Sequence, residues 1–120
     1  MQISIPFKER FREPMLSGVK TMTSRTKRYG QPGDWFNAFG ATFVLTSIIN
    51  RHFDYILEHW KEEGCVSKED FLIVWHEIHP RHKVNVSDLF WTHTFQNVSK
   101  RPKEPYTYEQ FQKDIAVPAQ

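Results

Sequence analysis

The sequence predicts an α+β domain, and three observations carry that prediction. Ala41 to Ile49 is β-branched and apolar, the strongest strand pattern in the chain. Phe53, Ile56, Leu57 and Trp60 fall at i, i+3, i+4 and i+7, and Phe71, Val74, Trp75 and Ile78 repeat that spacing, so two amphipathic helices are expected. Leu89, Trp91, His93 and Phe95 then alternate as a strand does. Strands wrapped around two amphipathic helices make an α+β fold.

Taken in order, Ile3 to Phe7 alternates apolar and polar positions and reads as a first strand. Phe11, Met15 and Leu16 have helical spacing, but Pro14 interrupts, so a short helix or irregular turn is expected. Thr21 to Arg25 reads as a short strand, followed by a basic loop from Thr26 to Gly30. Gln31-Pro32-Gly33-Asp34 is a turn by its Pro-Gly pair, and Trp35 to Phe39 is a strand with aromatics at alternate positions. Gly64 is placed to end the first helix. Ser67 is placed to cap the second, with Asp70 at the reciprocal position and Val66 with Phe71 as a hydrophobic staple. Pro80 stops that helix, and Val84 to Val98 returns to strand. The organisation expected is a domain over 1–98 and an extension over 99–120. The extension holds the basic, proline-spaced linker Lys100 to Pro105 and a short helix opened by Thr107-x-x-Gln110, with Phe111 and Ile115 as its anchors.

Apolar residues are 39% of the chain and aromatics 15%, enough to fill one core and to exclude wholesale disorder. A net charge of +2 is compatible with a polyanionic or nucleoside partner without demanding one. Cys65 is the single cysteine, which excludes an internal disulfide and fits a reducing compartment. No apolar run approaches a membrane span and the N-terminus lacks a signal-peptide core, so a cytoplasmic location is expected.

The chemistry concentrates in Ser17-Gly18-Val19-Lys20-Thr21-Met22-Thr23-Ser24-Arg25. On an ideal strand Thr21, Thr23 and Arg25 share one face, and Lys20, Met22 and Ser24 the other. Lys20 and Thr23 therefore meet only if the chain bends at Lys20, which a turn at Gly18 allows. Ser24 lies where an apolar residue would suit a buried strand position, which would open a pocket.

Gly18-x-Lys20-Thr21-x-Thr23-x-Arg25, followed by Pro32-Gly33-Asp34, resembles the opening signature of the ASCH domain, a family of PUA-like β-barrels. The resemblance continues to Glu63-Gly64, to Ser67 through Phe71 and to Trp75-x-x-Ile78-His79-Pro80, and covers roughly residues 3 to 97. It implies a small mixed PUA-like β-barrel with the two helices on one side. Some ASCH proteins are amidohydrolases that remove the acetyl group from acetylated cytidine by a lysine, a threonine and a glutamate. The resemblance places the first two on Lys20 and Thr23. Glu63 is the candidate for the third after a one-residue adjustment in loop length, with Glu62 beside it.

A threonine hydroxyl needs a base within reach, and lysine serves if burial or a nearby cation such as Arg25 lowers its pKa. Thr23 would attack the acyl carbonyl or orient a water to do so. A backbone N–H near Gly18 or the Arg25 fork would hold the oxyanion. Thr21 and Arg25 are expected to bind substrate, and Trp35, after the Pro-Gly turn, is the candidate to stack on a base.

His76, His79 and His82 are spaced by three, but the segment reads His-Glu-Ile-His and Pro80 breaks the helix, so no metal and no cofactor is expected. His79-Pro80 and His93 read as structural. The expected partner is a modified nucleoside or RNA, not DNA or a membrane. The two functions in play are deacylation of an acylated pyrimidine nucleoside and non-catalytic RNA binding (or cleavage of single-stranded RNA), with Lys27, Arg28, Lys100, Arg101 and Lys103 as phosphate contacts.

Overall fold

The computed structural model of the protein describes residues 1–81 and 83–99. A 3-10 turn over Glu9–Phe11 runs into α1 (Arg12–Ser17). The strands are β1 (Met22–Arg25), β2 (Trp35–Ala38), β3 (Ala41–His52) and β4 (Leu89–Asn97), with α2 (Phe53–Glu58) and α3 (Lys68–Ile78) inserted between β3 and β4. The sheet order is β1-β4-β3-β2, every neighbouring pair antiparallel. It is an antiparallel, curled half-barrel with helices packed on it, as a small PUA-like α+β domain requires.

The curl has a local cause. β3 pairs with β4 through Leu45 and Phe95, then resumes at Ser47 and Thr94, leaving Thr46 as an extra residue. Thr46 Oγ1 donates to the Thr94 carbonyl at 3.2 Å, and such a bulge sharpens strand twist. Inside the curl Phe7, Phe36, Phe43 and Phe95 form one aromatic cluster, with the Phe36 and Phe43 rings 5.4 Å apart. Phe53, Trp75 and Phe90 form a second where the helices meet the sheet, with Phe53 5.0 Å from Trp75.

Several elements differ from the sequence expectation. Ile3 to Phe7 is not a strand. Gln2 makes an isolated parallel bridge to Trp35, and the Ile3 N–H donates to the Trp35 carbonyl at 2.8 Å. Pro6 has no N–H to give, and the alternation reflects burial instead, since Ile5 and Phe7 pack into the core. β4 starts only at Leu89, because Asn85 and Asp88 close a turn in which the Asp88 N–H bonds the Asn85 carbonyl at 3.0 Å. Along β4 the alternation gives way to burial of Phe90, Thr92, His93 and Phe95, as befits a central strand covered on both faces.

Ser67 caps α3 as expected, accepting the Asp70 N–H at 3.0 Å. The staple does not form: Val66 is 79% exposed, while Phe71 packs on Phe53. The Asp70 carboxylate takes the Val66 N–H at 3.0 Å and the Arg10 guanidinium at 2.6 Å. Ile78, expected in the core, is half exposed at the edge of the cavity described below. The expected linker and C-terminal helix beyond residue 99 lie outside the described residues, as does His82. Among the described residues no helix is long and apolar enough to cross a membrane.

Candidate active site

Lys20 is delivered by the end of α1. Gly18 ends that helix in the left-handed conformation at φ 86°, and the Lys20 N–H closes back on the Pro14 carbonyl at 2.9 Å. The bend demanded by strand geometry is therefore present just before β1. The loop after α2 meets it: the Thr21 and Met22 N–H groups both donate to the Glu62 carbonyl, at 2.9 and 3.1 Å. That pairing drives the Glu63 side chain inward, while the Glu62 side chain stays partly exposed.

Lys20 and Glu63 are both buried, 3% and 5% exposed. Lys20 Nζ donates to the Met22 carbonyl at 2.8 Å and to the Glu63 carbonyl at 2.5 Å, and stands 3.8 Å from Glu63 Oε1. It also lies 4.5 Å from the centre of the Phe11 ring. Burial drives the Lys20 pKa down to about 8, aided by the Arg25 charge and opposed by Glu63. Burial likewise pushes the Glu63 carboxyl above its ordinary value, against the pull of Lys20 and Ser24. Loss of hydration thus narrows the gap between acid and base, whose nearest side-chain atoms stand 3.8 Å apart.

Thr23 and Arg25 occupy the other face of β1. Arg25 Nε donates to Thr23 Oγ1 at 3.0 Å, and a terminal nitrogen of Arg25 donates to the Pro6 carbonyl at 2.6 Å. The guanidinium sits 5.1 Å from the Phe7 ring centre and 5.8 Å from that of Tyr29. Lys20, Thr23, Arg25 and Glu63 all open onto one cavity of about 420 Å³, walled by Phe7, Phe11, Tyr29 and Trp75. No hydrogen bond joins Lys20 Nζ to the Thr23 hydroxyl.

Two expected substrate contacts fall elsewhere. Trp35 lies on β2, at the far edge of the sheet from β1, against Val44 and Val98, and does not line the cavity. Thr21 is engaged through its backbone, its carbonyl accepting the Phe95 N–H at 2.9 Å, and its side chain is not on the cavity wall. The aromatic rings on the cavity wall are instead those of Phe7, Phe11, Tyr29, Phe71 and Trp75. Tyr29 is held by its N–H donating to His93 Nε2 at 2.9 Å, so His93 carries its own proton on Nδ1, where it donates to the Trp91 carbonyl at 3.0 Å.

Ser24 and Thr92 are the polar residues that motif matching did not assign. Ser24 Oγ donates to Glu63 Oε2 at 2.7 Å and lies 2.9 Å from Thr92 Oγ1, all three buried. A serine at a buried strand position was the available signal for Ser24. Thr92 carried none. Among the described residues no group of three or more His, Cys, Asp or Glu side chains is placed to hold a metal.

No protein-family model matches the chain, and no curated protein matches it in sequence. Solved structures do match. An ASCH domain from Lactobacillus crispatus superposes with a TM-score of 0.54 at 15% identity, covering 81% of this chain and 79% of its own. The chain has the ASCH fold. A hypothetical protein designated PH0355 superposes on it with a TM-score of 0.61 at 18% identity, over 82% of this chain and 100% of the other. Protein EF3133 from Enterococcus faecalis gives 0.51 at 15% identity, over 92% and 76%. Within this ASCH fold, the Lys20–Glu63 pair sits where the first strand, the sheet and the post-α2 loop converge.

Proposed function

We propose that the protein is a small amidohydrolase that removes the acyl group from an acylated cytidine or a related modified pyrimidine nucleoside. The observation that carries this reading is the buried Lys20–Glu63 pair opening on an aromatic-walled cavity of about 420 Å³, a size that suits a small-molecule site. The known deacylation of acetylated cytidine by some ASCH proteins supports the choice of substrate.

The chemistry follows from the hydrogen bonds. As a free amine, Lys20 spends both N–H hydrogens on the Met22 and Glu63 carbonyls, which leaves its lone pair as the unfilled position. With a pKa of about 8, roughly one molecule in ten is in that form at neutral pH. The lone pair takes a proton from the Thr23 hydroxyl, or from a water that Thr23 orients, and the resulting oxygen attacks the acyl carbon. Arg25, already donating to Thr23 Oγ1, stabilises the negative charge that develops. Collapse breaks the C–N bond, and the protonated Glu63 carboxyl gives its proton to the departing exocyclic nitrogen. Lys20 returns a proton to Glu63 as the pair closes from 3.8 Å to hydrogen-bond distance. If Thr23 is the nucleophile, water then releases the acyl group by the same route in reverse.

Incubation with acetylcytidine, followed by the change in ultraviolet absorbance as cytidine appears, tests the reading. Turnover in the wild type that is abolished in a folded Lys20→Ala variant is expected. A fully active variant refutes the assignment of Lys20.

One observation favours the rival reading, a module that binds or cleaves single-stranded RNA. Exposed Lys27 lies 5.1 Å from the Tyr29 ring centre and exposed Arg28 5.3 Å from that of Trp91, cation–aromatic pairs suited to phosphates and unpaired bases. That reading expects salt-dependent RNA affinity lowered in Lys27→Ala and Arg28→Ala, and an affinity insensitive to salt counts against it.

A further inference from the structure

Glu63 must gain and lose a proton inside a buried site, and something must satisfy its carboxyl in both states. The ionised form needs donors; the protonated form needs an acceptor for its own O–H. Lys20 faces Oε1 in either state. Ser24 holds the other oxygen in both. Its hydroxyl lies 2.7 Å from Glu63 Oε2, and behind it Thr92 Oγ1 lies 2.9 Å away.

From this geometry we infer that Ser24, backed by Thr92, is the positioning residue that lets Glu63 change charge in place. With Glu63 ionised, Thr92 donates to Ser24 and Ser24 donates to Oε2. With the proton on Oε1, where Lys20 delivers it, Oε2 stays an acceptor and Ser24 still donates to it. The chain of hydroxyls keeps its direction and no atom moves far. The same bond turns Oε1 towards Lys20. Ser24 also lies on the cavity wall, but in this scheme it makes no bond to the substrate. It acts through Glu63.

The inference rests on the amidohydrolase reading for its purpose, but not for its test. The groups that face Glu63 are Lys20 and Arg25 from the β1 segment and Cys65 from its own loop, and none is altered by a change at Ser24. The carbon-13 resonance of the Glu63 carboxyl, assigned by its loss in Glu63→Gln, is followed through a pH titration in wild type, Ser24→Ala and Ser24→Thr. A hydrogen bond to a carboxylate is stronger than one to the neutral acid, so the Glu63 midpoint rises by about one pH unit in Ser24→Ala. It returns to the wild-type value in Ser24→Thr. If Ser24→Ala does not fold, Ser24→Cys, a weak donor of similar volume, moves the midpoint the same way. A midpoint unchanged in the alanine variant overturns the inference, and so does a Glu63 carboxyl that never titrates in the folded wild type. Turnover of acetylcytidine is measured alongside. A shifted midpoint with no turnover in any variant rejects the amidohydrolase reading and leaves the hold of Ser24 on Glu63 in place.

Discussion

Gly64 lies flat against the aliphatic stem of Lys20. A Cβ added at Gly64 would stand 2.8 Å from Lys20 Cδ and 3.0 Å from its Cβ, and the glycine itself is at φ 96°. The backbone after Glu63 thus passes where a side chain would push the lysine out of its site. Gly64→Ala adds left-handed strain to that collision and is expected to cost about 2–4 kcal/mol in stability, with turnover falling further than stability does. Thermal denaturation together with the rate at saturating acetylcytidine checks both. An alanine variant as stable and active as wild type rules the contact unimportant.

Glu63→Gln separates proton donation from shape. Glutamine keeps an oxygen for Ser24 but has no proton to give. The rate constant at saturation should fall by about 10²–10⁴ with KM nearly unchanged, while the melting temperature at neutral pH stays close to wild type. Removing the Glu63 charge also removes what holds the Lys20 pKa up, so the limb of the pH–rate profile set by Lys20 should move below about 8. A variant that keeps full turnover excludes Glu63 as the acid.

The buried lysine also leaves a mark on stability. Its folded-state pKa of about 8 lies below the 10.5 ordinary for lysine, so between those values the unfolded chain binds more protons. Folding stability contributed through this group therefore rises with pH across that window, and the penalty for a buried ammonium is in full force below it. Denaturant unfolding between pH 8 and 10.5 should show a steeper upward slope for wild type than for Lys20→Met, and equal slopes contradict the burial of a charge there.

His93 should act as a neutral strut. Its Nε2 accepts the Tyr29 N–H, a bond that a second ring proton destroys, and burial lowers its pKa from the usual 6.5. The stabilisation it gives is present above that ordinary value and is lost as pH falls from it through the lower folded-state pKa. His93→Phe keeps the ring volume and removes the acceptor. Hydrogen exchange at the Tyr29 amide is then expected to quicken by about an order of magnitude, with a stability loss of about 1–3 kcal/mol. An unchanged exchange rate shows that the bond does not hold the cavity rim.

The density of reactive groups at Lys20, Thr23 and Arg25 was legible beside a turn-forming glycine, while their expected roles came from the family resemblance; the two helical stripes were legible because Phe53 and Ile56, like Phe71 and Val74, repeat at the period of a helix. Local period also marked the strands at Ala41 to Ile49 and Leu89 to Phe95, but at Ile3 to Phe7 the same alternation reflected burial alone. Trp35 shows where that ends. Alternating aromatics mark a strand but carry nothing about its place in the sheet, and the order β1-β4-β3-β2 sets β2 at the far edge from the cavity.

The sequence by itself determined the α+β class, the bend before β1 and the residue types able to do acid–base work, since these follow from backbone sterics, side-chain period and chemical identity. Only the tertiary structure decided which groups meet. Pairing of Ser24 with Thr92, 68 residues away, depends on the register between β1 and β4, and the burial of Glu63 rather than Glu62 depends on two backbone bonds from β1 and the residue before it. The low pKa of Lys20 comes from water excluded by the whole packed core, which no local stretch of chain contains.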